Sequence, residues 1–304
     1  MKIEQIINQI HSSDAIILEG AISVLSVLSS DDSNNNGFRI LKIILPFDED
    51  NKNAKKILKA AKTKNLEADK IEFFSPEQMR ELENILNDTG IYQNKIGRTH
   101  GGIIAITSKR KFLTPRELIY SLKPSRAVSV AIIEGIEDPY NLGYAARALY
   151  TQGIDALILP ERDFGFSESI IEKASTGTFS KMPTAVFSND INISDKSDIN
   201  SKIELINFLK SENFRIYCID KKIPASLKAE ISCKNIFDVE FSDRTVFIIG
   251  GEKRGISKDF LNNADEIVSI PYAKNFSHSL AAQTAATIVS YEIHRQKSQL
   301  DKNN

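Results

Sequence analysis

Apolar residues recur along the chain in two ways, at helical spacings of three and four and in short continuous runs that suit buried strands. Residues 15–29 carry Ile16, Leu18, Ile22, Leu25 and Leu28 and are predicted as helix. A polar turn, DDSNNNG at 31–37, precedes RILKIILP at 39–46, which reads as a buried strand. Residues 52–65 place Ala54, Ile57, Leu58 and Ala61 on one helical face. A strand at 69–74, a helix at 76–86 and the strand GGIIAIT at 101–107 complete a small α/β domain over residues 1–108.

The rest of the chain is more regular. Strands are predicted at 127–134 (AVSVAIIE), 156–159, 185–187, 215–218 and 246–249. Helices are predicted at 141–152, 167–174, 203–209 and 279–295, with a surface insertion at 189–200 and a frayed tail, KSQLDKNN, at the end. Strands separated by helices imply a mostly parallel sheet. The fold class is therefore α/β, with a second unit over 127–304. Between the units, residues 109–126 hold Lys109, Arg110, Lys111, Arg116, Lys123 and Arg126 against Glu117 alone. That run reads as a solvated basic linker or as an RNA-facing connector, and charge by itself does not choose.

Composition narrows the function classes. The 304 residues, 41% of them hydrophobic, are enough for two cores. A formal net charge of -1 excludes a uniformly cationic nucleic-acid coat, so any RNA-binding face must be local. Cys218 and Cys233 are too few for a disulfide scaffold. They are expected as free buried thiols, with a single bridge left open. His11, His100, His278 and His294 are scattered and no CxxC or HExxH occurs, so no metal site is expected. The first residues lack a secretory pattern and no apolar run reaches 18 residues, which reads as a cytoplasmic protein.

Several common sites are missing. No G-x-G-x-x-G follows the strand at 127–134, so a standard dinucleotide site is disfavoured. GGEKRGIS at 250–257 lacks the Gly-Lys-Ser/Thr ending of a P-loop, and no G-x-S-x-G elbow occurs. Three other segments carry chemistry. In EDPYNLGYAARALYTQG (137–153), Asn141 is placed to cap a helix, and Arg147 lies inside that helix, either in a structural salt bridge or on a phosphate. In VFIIGGEKRGIS (246–257) a buried strand runs into Gly250 and Gly251, a tight turn or a backbone cradle for a flat ligand, with Glu252 adding a carboxylate and Ser257 capping a short helix. In IVSIPYAKNFSHSLAAQTAA (267–286) a strand meets Pro271, then a loop, then a helix of small residues entered at Ser279.

In order and spacing these segments resemble the SpoU (TrmH-like) branch of the SPOUT RNA methyltransferases. Asn141-Leu142-Gly143 with Arg147 matches the family's first motif. Gly250, Glu252 and Gly255 match the second, and Ile270-Pro271 followed by Ser279-Leu280 matches the third. ASTGT at 174–178 looks like the family's Ala/Ser-Gly segment. EGAISVLSVL (19–28) and THGGIIA (99–105) look like the ribosomal-protein-like RNA-recognition domain often fused in front. The resemblance implies a trefoil-knotted α/β domain and a homodimer formed through it. It also implies S-adenosylmethionine as cofactor and methyl transfer to a ribose 2′-oxygen in RNA, with rRNA favoured over tRNA. By the same analogy Gly250, Gly251, Ile270, Leu280 and Thr176 contact the cofactor. Arg147, Asn141, Glu252 and Ser279 serve the reaction, and Arg147 is expected to position rather than to act as a base.

The third motif departs from the family pattern. Ala281 stands where the family has Asn, and Gln283 where it has Ser or Thr. In the second motif Gly251 and Lys253 replace the usual Asn and Gly. Ala281 motivates the alternative of a non-catalytic RNA-binding or ribosome-assembly protein that retains the fold.

Overall fold

The computed structural model describes residues 2–13, 15–29, 38–48, 50–88, 100–122, 127–161, 167–187, 199, 201–221, 232–251 and 253–303, with backbone only at 2, 9, 11–13 and 300–303. The predicted turn at 31–37, most of the insertion at 189–200, and Lys123, Arg126 and Glu252 lie outside the described residues. The chain divides into two compact units, 1–111 with 163–181, and 112–162 with 182–304.

The first unit is built on a four-stranded sheet, in the order β1 (Ile16–Glu19), β4 (Ile104–Thr107), β2 (Ile40–Pro46), β3 (Ile71–Phe74). β4 runs antiparallel to both its neighbours, and β2 parallel to β3. One apolar cluster joins α1 (Lys2–Ser13) and α4 (Pro76–Asp88) to this sheet through Ile6, Leu82 and Ile44. Another joins α2 (Gly20–Ser29) and α3 (Lys52–Thr63) to it through Val24, Ile57 and Ile43. The predicted helix over 15–29 is corrected: residues 16–19 form β1 and the helix starts only at Gly20. Gly20 has φ +83°, a turn that L side chains rarely adopt.

Two short helices, α7 (Glu168–Ser175) and α8 (Thr178–Lys181), complete this unit. Gly177 there packs on Ser26 of α2, whose hydroxyl donates to the Gly177 carbonyl. Arg110, from the basic run, is not on a surface. It is buried, its Nη1 donates to the Phe179 carbonyl at 2.8 Å, and its guanidinium stands 4.4 Å from the Phe179 ring centroid. Glu168 and Glu172 are buried beside it, and Glu168 Oε2 and both Glu172 oxygens have no hydrogen-bond partner among the described residues. Burial pushes the Glu168 carboxyl up to about 8 and that of Glu172 to about 7, against the pull of the Arg110 cation.

The second unit holds a seven-stranded sheet in which every neighbouring pair is parallel. The order is β7 (Thr184–Phe187), β6 (Ala156–Pro160), β5 (Val128–Ile133), β10 (Arg244–Ile249), β8 (Arg215–Ile219), β11 (Glu266–Ser269), β9 (Cys233–Asn235). β5 is buried at all six positions, as its continuous apolar run requires of a strand covered on both faces. On one face α5 (Pro115–Ser121), α9 (Lys202–Ser211) and α10 (Lys258–Asn263) contribute Leu118, Leu209 and Phe260 to the core. Residues 112–122 therefore belong to this packing, and Leu113 pairs with the β7 backbone. α6 (Pro139–Thr151) and α11 (Ala282–Asn303) pack on each other, with Ala146, Ala286 and Val289 fully buried. The predicted frayed tail is corrected, because α11 continues to Asn303. Cys218 is buried and free as expected, but Cys233 is free and exposed.

The buried carboxyls carry a pH signature. An unfolded glutamate releases its proton near 4.5, whereas these two hold theirs to about 7 and about 8. The native state binds more protons over that window, so its stability falls as pH rises from about 4.5 to about 8. Glu172→Gln is expected to lessen the fall in thermal midpoint between pH 5 and pH 8, read by parallel melting curves of variant and wild type; equal slopes would contradict the assignment.

Candidate functional site

In parallel sheets, ligands gather outside the carboxyl ends of the strands. A cleft of about 640 Å³ lies there in the second unit, beyond β8, β10 and β11. Its size falls within the range of small-molecule sites. Of the predicted site residues, Gly250, Gly251, Ile270, Ser279 and Leu280 line it. Five residues from two motifs separated in sequence thus meet in one concavity.

The glycines shape the wall. Gly250 and Gly251 follow β10 directly, and Gly251 and Gly255 exchange backbone hydrogen bonds at 3.2 and 3.0 Å, closing the turn on itself. A Cβ on Gly250 would land on the backbone of Gly255 and Ile256. A Cβ on Gly251 would lie 2.5 Å from the carbonyl oxygen of Gly135, in the turn after β5. Two strand exits are therefore packed main chain against main chain. Glu134 secures the junction. Its backbone amide donates to Ile249 O at 2.8 Å, one carboxylate oxygen accepts from Ser257 N at 2.9 Å, and the other pairs with Lys202. Ser257 precedes α10 as predicted but makes no capping hydrogen bond with its side chain; its hydroxyl is buried and has no partner among the described residues. The Glu134 carboxylate takes the Ser257 amide instead.

The first motif is positioned by α6. Its cap is Asp138, whose side chain accepts from Tyr140 N at 2.8 Å, with Pro139 opening the helix. The expectation that Asn141 caps is corrected: Asn141 sits within the first turn, and its Oδ1 accepts from Gln283 Nε2 of α11 at 3.1 Å. Gln283 Oε1 is buried and unpartnered among the described residues. Arg147 is exposed, and its guanidinium has no partner among the described residues. Six residues of helix set Arg147 about 9 Å along the axis from Asn141 and roughly 120° around it. Neither residue lines the cleft.

Ser279 and Leu280 are corrected in one respect. They lie in a loop, and α11 begins at Ala282, with the carbonyl of Ala281 accepting from Thr284 and Ala285. Ala281 thus stands just before a helix with no side chain able to cap it. Thr176 is in the first unit, with left-handed φ of 53° after α7, and its hydroxyl donates to Ser175 O.

Among the cleft residues that sequence reasoning did not assign to a site are Asp220, Lys221, Tyr272 and His278. Asp220 and Lys221 immediately follow β8, and Tyr272 comes three residues after β11. The available signal was position just past an apolar strand, which becomes informative once the strands are known to be parallel.

Comparison with known proteins agrees with this geometry. A family model described as the SpoU rRNA Methylase family matches residues 129–291. A Staphylococcus epidermidis protein named "Putative TrmH family tRNA/rRNA methyltransferase" is 28% identical over 204 residues, 67% of this chain and 73% of that protein. An RNA 2′-O ribose methyltransferase crystal structure superposes with a TM-score of 0.65 at 17% identity, covering 98% of this chain and 96% of that one. The SpoU methyltransferase AviRb from Streptomyces viridochromogenes, crystallised with AdoMet, gives 0.64 at 17% identity, covering 96% and 93%. At those identities the solved structures establish a shared fold.

Gly250→Ala is expected to lower stability by roughly 1–3 kcal/mol, the usual cost of overpacking. Urea unfolding measures it, and an unchanged midpoint would contradict the close backbone contact.

Proposed function

Because the chain belongs to the SpoU rRNA Methylase family and so to a family of RNA methyltransferases, we propose that it methylates a ribose 2′-hydroxyl, in rRNA rather than tRNA, with S-adenosylmethionine as donor. The observation that carries this reading is the cleft beyond the strand ends, lined by Gly250, Gly251, Ile270, Ser279 and Leu280 from two of the three motifs, where close main-chain packing leaves no room for a side chain on either glycine. Ile270 and Leu280 would give such a ligand apolar contact. The donor supplies a sulfonium methyl carbon as electrophile. A deep trefoil knot in the second unit is part of the same reading, supported by β10 lying between β5 and β8, strands that precede it in the chain.

The chain's own residues place the acceptor. A ribose hydroxyl is a weak nucleophile, and holding it in line is worth much of the barrier. Arg147 offers an unpartnered guanidinium to an RNA phosphate. A guanidinium only donates hydrogen bonds, so Arg147 positions and does not take the proton. Gln283 Nε2 donates to Asn141 Oδ1 and so holds the Asn141 amide in place. Ser279, exposed at the cleft, would donate to the ribose. Glu252 would orient the glycine turn. The first unit would bind the rRNA.

A homodimer through the second unit belongs to this proposal. Tyr140, Tyr144 and Arg147 share one exposed face of α6, and Tyr291 and Phe237 are also exposed. Since Arg147 is absent from the lining of its own cleft, it would serve the cleft of a second copy.

Incubation with methyl-labelled S-adenosylmethionine and unmodified rRNA is expected to label 2′-O-methylated nucleotides, found by nuclease digestion and chromatography. Arg147→Ala should reduce incorporation at least about a hundredfold while cofactor binding persists. Cofactor and RNA binding without any label would favour the non-catalytic reading that Ala281 suggests. Mixing Arg147→Ala chains with chains whose cleft is filled by Leu280→Trp should restore part of the activity if sites are shared between subunits; no recovery from mixed dimers would argue for sites within one chain.

A further inference from the structure

The loop between β11 and α11 carries an aromatic series that nothing above uses. The Tyr272 and Phe276 ring centroids are 6.3 Å apart, and those of Phe276 and His278 are 5.4 Å apart, with interplanar angles of 47° and 45°. Tyr272 and His278 line the cleft, and Phe276 does not. Phe276 is 54% exposed, although it is a large apolar ring. The loop is tied down by Lys221 at the end of β8. Its ammonium stands 4.5 Å from the Tyr272 ring centroid and donates to the Phe276 carbonyl. Lys274, two residues before Phe276, is exposed and has no partner among the described residues.

Phe276 is thus an exposed ring held in place by its neighbours, with an exposed lysine two residues away in the chain. The chemistry that matches is an unstacked base, whose flat face covers the ring while its phosphate meets the lysine. A protein partner would suit the ring but would not need the cation beside it. The cofactor's own adenine is a poorer match, because Phe276 lies outside the cleft lining.

We propose that Phe276 is a stacking platform for a base of single-stranded RNA at the mouth of the cleft, with Lys274 meeting the adjoining phosphate and Lys221 holding the loop in place. The proposal rests on the RNA-methyltransferase reading for its substrate class. It adds a binding residue that lies outside the three motifs' matched positions.

The chain contains no tryptophan, so Phe276→Trp introduces a single fluorescent reporter at this place. Titration of that full-length variant with an oligoadenylate of about twelve nucleotides, a length within single-strand site sizes, is expected to quench its emission saturably. An abasic oligonucleotide of the same length should not quench it. Phe276→Ala should weaken oligoadenylate binding at least roughly fivefold by fluorescence anisotropy, the lower end of what one stacked base contributes, with affinity for S-adenosylhomocysteine unchanged by calorimetry. Binding without quenching, an unchanged affinity in Phe276→Ala, a loss confined to the cofactor, or no oligonucleotide binding would each overturn the platform. None of these readouts requires methyl transfer. Quenching without any methylated product would therefore sink the proposed reaction and leave the platform standing, and methylation with no quenching would do the reverse.

Discussion

The turn after β10 lies with its main chain directly on the turn after β5, and the cleft depends on that contact. Gly251 comes so close to Gly135 that a Cβ would stand 2.5 Å from its carbonyl oxygen, and Gly250 is pressed on Gly255 and Ile256 in the same way. Two neighbouring parallel strands must therefore end together and turn apart without side chains between them. Gly135, with φ +83°, makes one of those turns, and the mutual hydrogen bonds of Gly251 and Gly255 make the other. The Glu134 carboxylate then ties α9, through Lys202, to the start of α10. Beside this junction the partly buried main chain of Gly250 and Gly251 lines one wall of the cleft.

Charge is distributed to fit. With a net charge of -1, the molecule has no general attraction for RNA. The basic run at 109–126 does not act as one patch. Arg110 is buried on Phe179, and Arg116 lies over the Phe208 ring at 4.6 Å. Lys253, in the cleft, is paired with Glu137 at 2.6 Å. Arg147 and Lys274 are among the cations without partners among the described residues, as are the exposed Lys52, Lys55, Lys56, Lys59 and Lys62 along α3.

The buried pair Glu168 and Glu172 shows a different logic. Both sit with incomplete hydrogen bonding beside the buried Arg110. Burial alone would exclude charged carboxylates, and a single cation offsets only part of that cost. The group therefore trades protons with solvent over the neutral range, and nothing in the spacing of these residues along the chain signals it. The basic run looked like surface because burial of Arg110 depends on Phe179, 69 residues away.

Strands such as VSVAII and VFII were legible because a continuous apolar run admits few alternatives to a doubly covered parallel strand, although β10 begins two residues earlier, at Arg244. Helix starts were less so. Ile16–Leu18 fits helix or strand equally well by apolar content, and pairing with Ile106 and Ala105 of β4 decides for strand. Asn141 looked like a cap until Asp138 and Pro139 took the first turn, and Ser279 looked helical until Ala281 opened α11. The sequence by itself determined the α/β class, the glycines at the strand exit and the order of the three motifs, since these follow from local pattern. Only the tertiary structure decided that β10 lies between β5 and β8, that Gln283 holds Asn141, and that Asp220, Lys221 and Tyr272 share the cleft with Gly250. Those facts rest on contacts between residues far apart in the chain, which no local spacing encodes.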